Sequence, residues 1–306
     1  MKKFLSLVGI LLFSTGLYSE KITKTKTMKW SLGRLDFSLP EQFELKGRNQ
    51  SIFHIEVATI PLEKVSAKEI WNQRIEQLRV QHVSNGFPLD TFTINEIAPD
   101  FSIVFYQENK SLHLLVTAEA YKEVGDNILT LKYSGQKGKE DVMREMISLT
   151  AADYRPDITN GFNVGAGSLI SPPSINEHAS ATFEDRETRM KLTLYIHTSG
   201  PTPSKGPLDS IDDEIKGLGA EGIQLRVIQQ VTRKAAGFSG EQGLVEIKSP
   251  AQNESGFRYT WFYAGETANG FKPEIRIQLN AKPENQESAT MIWEKSLDSM
   301  KMRSLK

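Results

Sequence analysis

The chain has 306 residues, of which 39% are hydrophobic and 25% charged. These ordinary values exclude a collagen-like repeat, a disordered polyampholyte and a multispanning membrane protein, and the length predicts two domains. Its 37 Lys and Arg against 38 Asp and Glu leave no basic footprint of the kind a phosphate backbone needs, which excludes nucleic acid as a partner.

Met1-Lys2-Lys3 precedes an apolar run over residues 4–13 that is too short to span a bilayer but suits the core of a signal peptide. Small residues at Ser14, Thr15, Gly16 and Ser19 place cleavage after Gly16 or Ser19. Residues 1–19 are therefore expected to be a signal peptide. The chain has no cysteine, so no lipid-bearing residue can follow that signal and no disulfide can staple the fold. The expectation is a soluble periplasmic protein that is not a lipoprotein.

The first helix is predicted from Ser66, where Ser66-Ala-Lys-Glu69 forms a capping box and Trp71, Ile75 and Leu78 recur on one face. It should end near Asn85-Gly86. Strand character marks residues 51–57, 91–97, 101–106, 112–117 and 128–133, with a hairpin turn at Glu108-Asn109-Lys110. A second helix over 140–152 places Val142, Met146 and Leu149 on its inner face. Tyr154-Arg155-Pro156-Asp157 then marks a boundary, because proline stops a helix and the pattern restarts behind it.

The second half repeats the plan. A strand over 190–196 leads to a helix from Asp209 or Ser210 with Ile211, Ile215 and Leu218 on one face. Strands follow at 223–231, 243–248, 257–263 and 275–279, and a last helix over 285–300 carries Trp293, Leu297 and Met300. The predicted class is α+β, with two similar tandem domains at 20–155 and 156–306. Each is a mainly antiparallel sheet with two helices, and internal duplication is the economical explanation.

The chain offers little chemistry. Gly217-Leu-Gly219-Ala-Glu-Gly222 spells a dinucleotide loop, but it follows a predicted helix and precedes a strand, so it serves as a cap and turn. Ser239 in Gly237-Phe-Ser-Gly-Glu241 lacks the second glycine of a nucleophile elbow. His54, His82, His113, His178 and His197 are scattered without ligand spacing, and His54 and His113 fall in strand patterns. The acids of residues 209–214 complement a helix dipole. Trp71 and Trp293 read as core, and so do most of the aromatics in Tyr259-Thr-Trp261-Phe262-Tyr263. No enzyme, metal or cofactor is expected.

Leu32-Gly33-Arg34 with Asp36-Phe-Ser-Leu-Pro40 resembles the opening of two-domain, group-four immunity proteins cognate to type VI secretion lipase effectors. The stretch from Gly161 to Gly167, Phe257-Arg-Tyr-Thr-Trp261, Pro273-Glu-Ile-Arg-Ile277, Ile292-Trp293, Leu297-Asp-Ser299 and Arg303 are similar to that family's C-terminal domain. Ser31 and Asn163 stand where the family often carries cysteines, so a disulfide implied there is absent. The resemblance implies a non-enzymatic periplasmic antitoxin that clasps a secreted phospholipase. A periplasmic binding or envelope-assembly module without a toxin partner is the alternative. Two lobes joined at 155–157 should leave a cleft, both lobes should touch the partner, and loops are the expected contacts. The loop Glu184-Asp185-Arg186-Glu187, read as charged and exposed, and Phe87-Pro88 are the expected partner-binding residues.

Overall fold

The computed structural model of the protein describes residues 26–62, 66–174, 176–198, 222–249 and 254–303. The expected signal peptide and the expected helix near 209–218 lie outside the described residues, as does all of the glycine motif except Gly222. Chain order begins with β1 (Thr27–Leu32), β2 (Leu35–Pro40), β3 (Phe43–Ile52) and β4 (Ile55–Pro61). Helix α1 (Ala67–Ser84) leads into β5 (Thr93–Ala98), β6 (Phe101–Tyr106), β7 (Leu115–Val124), β8 (Asn127–Gln136) and α2 (Glu140–Asp153). Then come the short strands β9 (Tyr154–Arg155), β10 (Phe162–Asn163) and β11 (Ser168–Leu169), followed by β12 (Glu177–Asp185) and β13 (Lys191–His197). The chain closes with β14 (Gln224–Ala235), β15 (Phe238–Ser249), β16 (Glu254–Tyr263), β17 (Glu274–Ala281), α3 (Gln286–Ser299) and β18 (Lys301–Met302).

Among the described residues, twelve strands form one antiparallel sheet in the order β14-β15-β16-β17-β13-β12-β3-β4-β8-β7-β6-β5. The sheet runs unbroken past the 155–157 boundary. Read outward from its middle, the order β3-β4-β8-β7-β6-β5 on one side is matched by β12-β13-β17-β16-β15-β14 on the other. The antiparallel β3–β12 ladder lies between them and extends from Ile52↔Glu177 to Phe43↔Asp185. Two three-stranded sheets repeat the reciprocity. The strand after α3, β18, pairs with β2 near the chain's start, and the strand after α2, β9, pairs with β11 in the second half.

The sheet's weak point is β3 with β4, which pair at Ser51↔Glu56 and Ile52↔Ile55 and then part to form a fork. Residues 51–57, expected as one strand, are broken there by a two-residue turn. Phe53 and His54 both have positive φ, 53° and 65°, the backbone that a hairpin of this twist requires and that Asn-Gly normally supplies. His113, the other histidine expected on a strand, lies in the link after Leu112. That link displaces the 112–117 strand, so β7 starts at Leu115.

Alternation assigns the faces. The row Val57, Leu131, Ala120 and Ile103 points to the side covered by α2, where Met143 and Ile147 join the same core. Helix α2 meets the sheet through Met143, Ile147, Thr150 and Ala151. Of the face expected for it, Met146 is half-buried against the core, whereas Val142 and Leu149 are exposed at 51% and 63%. Helix α3 buries Ala289, Ile292, Trp293, Ser296 and Leu297 against β17 and β2, so the last helix packs on a strand from the chain's start. The Ser38 amide donates to Ser299 Oγ at 2.8 Å. Helix α1 lies on the opposite face, capped by Ser66 as expected, with Trp71, Ile75 and Leu78 packed on Val104 and Tyr106. Within this fold Tyr259 and Trp261 are core residues, and the Trp261 indole donates to Arg233 O at 3.0 Å.

Candidate partner-binding face

The face of the sheet opposite α2 and α3 carries a polar lawn beside the fork. The alternation that buries Ala179, Ala181, Leu192, Leu194 and Ile196 turns His178, Ser180, Thr182, Thr193, Tyr195 and His197 outward, all half-buried. Asn49 and Ser51 of β3 lie opposite Ser180 and His178, while Glu274 and Arg276 of β17 lie opposite His197 and Tyr195. His178 and His197 face each other across the ladder with ring centroids 6.0 Å apart, and Tyr195 lies 5.0 Å from His178. Burial, then the neighbouring His197, holds the His178 imidazole below its ordinary value.

On the far side of the fork the same face is walled by α1. Arg74 donates to Glu119 at 2.7 and 3.0 Å, and the Tyr106 hydroxyl donates to Glu119 at 3.1 Å and to Glu108 at 2.9 Å. Lys132 completes the chain, 2.8 Å from Glu108. The hydrogen bond to Glu119 raises the Arg74 guanidinium further, keeping it charged. Burial and the Glu119 charge push the Tyr121 hydroxyl up to about 12, so it remains a donor at any physiological pH. Burial would raise the Glu108 carboxyl, but the bonds from Lys132 and Tyr106 outweigh it and leave the group low. A groove of about 420 Å³ opens at the fork, lined on one side by Arg48 and Asn49 and on the other by Glu56, Arg74, Tyr121 and Lys132. Tyr, Ser, Asn and His on a stiff sheet supply adaptable hydrogen bonds at low entropy cost, the chemistry of a protein-binding surface. Among the described residues no group of three or more His, Asp or Glu is placed to hold a metal ion.

The structure separates the two loops expected to bind a partner. Glu184 and Arg186 sit at the β12–β13 hairpin, paired with Arg189 at 2.6 Å and Glu44 at 2.5 Å. Asp185 is buried, not exposed as expected, and its carboxylate accepts from the amides of Glu187 at 2.8 Å and Thr188 at 3.0 Å. It shapes the turn that presents exposed Glu187. Phe87 and Pro88 follow the C-terminal end of α1, on the other side of the fork from β12. Phe87 stacks on buried His82 at 5.3 Å. His82 Nδ1 lies 3.2 Å from the Gln107 backbone nitrogen, and Nε2 lies 2.9 Å from both the Pro88 carbonyl and Thr91 Oγ1. Sequence reasoning missed the apolar rim beside this turn: Val83, Leu89, Leu112 and Leu114 are all exposed. The 107–114 link is tied to the end of α1 through Asn85 Nδ2, which donates to Glu108 O at 2.6 Å. An apolar Leu112 and Leu114 on either side of His113 read as a strand, which concealed that signal.

Five of the residues that carry the family resemblance, Gly33, Arg34, Asp36, Asn163 and Arg303, meet behind the fork, joined there by Glu177. Buried Arg34 donates to both Glu177 carboxylate oxygens at 2.7 and 2.6 Å, and Glu177 also accepts from the Ser174 amide at 2.9 Å. The Arg303 amide donates to Arg34 O at 2.8 Å, and its guanidinium, lowered mainly by burial, lies 3.6 Å from Asp36. The Asn163 amide donates to Gly33 O at 2.8 Å. A Cβ on Gly33 would stand 2.9 Å from that of Ala179, which explains the glycine before Arg34.

Similarity to known proteins follows this geometry. Residues 157–304 match the family model of the Tle cognate immunity protein 4 C-terminal domain. The apo structure of immunity protein TplEi of T6SS from Pseudomonas aeruginosa is similar at 13% identity and a TM-score of 0.71, over 92% of this chain and 98% of that one. The crystal structure of a Tle4-Tli4 complex contains a chain similar at 14% identity and a TM-score of 0.72, with the same coverage. TplEi complexed with "L" peptide is similar at 13% identity and a TM-score of 0.69, over 92% and 99% of the two chains. No curated protein sequence matches. At such identity the solved structures establish the fold, an α+β arrangement dominated by antiparallel sheet, and the family rests on the sequence match. Residues 157–304, which supply the Glu177 partner of Arg34 and the Arg303 closure, are the part of the chain that matches the Tle cognate immunity protein 4 C-terminal domain.

Proposed function

We propose that this protein is a periplasmic immunity protein that binds and neutralises a cognate type VI secretion phospholipase effector, protecting the membranes of the cell that makes it. The family match over residues 157–304 carries the reading. The chain similar to this one in the Tle4-Tli4 complex, and the polar face spanning both sides of the fork, support it. Among the described residues no helix is long and apolar enough to cross a membrane, and the signal-like residues 1–19 support export.

The effector is bound by both sides of the fork, with Glu184, Arg186 and Glu187 at one rim and Phe87-Pro88 at the other. A single rim loop is too small for the roughly 800 Å² per partner of a stable contact. The chain is two tandem domains, 20–155 and 156–306, from a duplication, with β1, β2 and β3 of the first domain lying on the β12 side of the fork. The mirrored strand order about β3 and β12 supports that origin.

The test is co-expression with the lipase effector encoded beside the gene, directed to the periplasm. Rescue of growth and a co-purifying complex are expected, and neutralisation without complex formation, or no rescue, overturns the reading. Tyr195→Ala on one side and Glu56→Arg on the other should each weaken the complex by about tenfold or more. If only one of them does, the two-sided surface is wrong. Glu187→Lys should act mainly on association rate and its salt dependence.

A further inference from the structure

Beyond their two shared register pairs, β3 and β4 are held apart by a loop that binds both prongs of the fork. On the β3 prong, Gln50 Nε2 donates to Asn163 O. On the β4 prong, Thr59 Oγ1 donates to Val164 O at 3.1 Å and accepts from the Ala166 amide at 3.0 Å. The loop braces itself: Asn163 Oδ1 accepts from the Gly165 amide at 3.1 Å, and Asn163 Nδ2 donates to the carbonyls of Gly165 and Gly167, each at 3.2 Å. Gly165 has φ 114°, and a Cβ there would collide with Thr59 Oγ1. The apex of the fork is the Phe53-His54 turn, whose two side chains oppose its backbone. So short a ladder at the apex leaves the angle between the two sides weakly determined by the sheet itself.

We infer that the 163–167 loop is a wedge that sets the angle between the two sides of the sheet, with Thr59 and Gly165 as its positioning residues. The two halves of the polar face lie on opposite prongs, so the wedge determines whether both reach one partner at once, a consequence that rests on the proposed function. The wedge itself does not, because the angle can be read in the free protein. A fork preset in this way lowers the ordering cost of binding.

The absence of native cysteine permits clean spin labelling of the full chain at Gln73→Cys on α1 and Glu287→Cys on α3, both exposed and on opposite sides of the fork. Pulsed dipolar spectroscopy should give one narrow distance distribution. Thr59→Val, which keeps the shape and loses the hydroxyl, and Gly165→Ala should displace it or make it about twice as wide. Thr59→Ser should restore the original, a rescue that a merely space-filling role would not produce. Should Gly165→Ala fail to fold, the Thr59 pair carries the test. Distributions unchanged in Thr59→Val overturn the wedge, and so does a loss of affinity for the lipase effector with the distance unchanged, because Thr59 would then act by direct contact. A displaced distance with unaltered effector affinity upholds the wedge and instead removes the two-sided binding face.

Discussion

The strand order matches about the β3–β12 ladder, whereas the fork between β3 and β4 divides the sheet unequally, and its two sides are assembled by different routes. On the β4 side, the sheet and both of its helices come from one continuous stretch between Ile55 and Asp153, so most of its ladders join sequence neighbours. The β12 side gathers its parts from both ends of the chain. Strand β3 flanks β12, the β1–β2 hairpin accepts β18, and α3 packs on β2. Closing contacts over more than 250 residues costs loop entropy that local pairing avoids, so the β12 side needs fasteners between its distant segments. The buried Arg34–Glu177 pair is the clearest of them.

The largest effect should come from breaking that fastener. Arg34→Ala or Glu177→Gln leaves a buried charge without its partner and should cost about 3–5 kcal/mol, read by chemical denaturation. A loss below about 1 kcal/mol would mean that the β12 side closes without it.

Next is the contrast along α2, the helix of the locally built side. Met143→Ala and Ile147→Ala should each cost about 2–4 kcal/mol, whereas Val142→Ala and Leu149→Ala should stay within about 0.5 kcal/mol. Equal losses from both pairs would restore the face expected from periodicity.

A smaller, opposite change is expected where the sides meet. Replacing Phe53-His54 by Asn-Gly matches the residue types to a turn with two positive φ values and should stabilise the protein by about 1–2 kcal/mol, visible as a higher Tm. A lower Tm would show that the side chains contribute more than their backbone costs.

The smallest effect concerns acid. Because His178 has a lowered pKa in the folded state, the unfolded chain binds the proton more readily. The folded state therefore loses stability as pH falls below about 6.5, and the loss is complete once pH passes the folded value. Above neutrality His178 contributes nothing to the pH dependence. The groups facing it across the lawn are His197, Tyr195 and, through His197, Glu274. His178→Gln should flatten the acid limb of the stability profile, measured as unfolding midpoints from pH 8 to pH 5. An unchanged limb would move the sensitivity to another group.

Much of the local structure was legible in residue order. The capping box at Ser66 and the Trp71, Ile75, Leu78 stripe marked α1, and alternation marked β6, β8 and β17, because those signals depend on neighbours three, four or two positions apart. The face of α2 was misjudged because Val142, Met143, Met146, Ile147 and Leu149 offer two overlapping apolar stripes, and only the sheet beneath decides between them. The 51–57 run was misread because no turn residue announces the Phe53-His54 bend.

The proposed binding face was the least visible of all. Asp185 looked exposed because its neighbours are charged, yet two amides pull it inward. Residue order by itself determined the three described helices, most strands and the landmark residues that carry the resemblance, since each follows from local periodicity or from the identity of a glycine, arginine or aromatic. Tertiary structure alone decided that the two halves share one sheet, that chain ends are exchanged between them, and that Gly33, Arg34, Asn163, Glu177 and Arg303 meet at one junction. Those facts depend on strand register and buried charge pairing between residues more than a hundred positions apart, which no local pattern encodes.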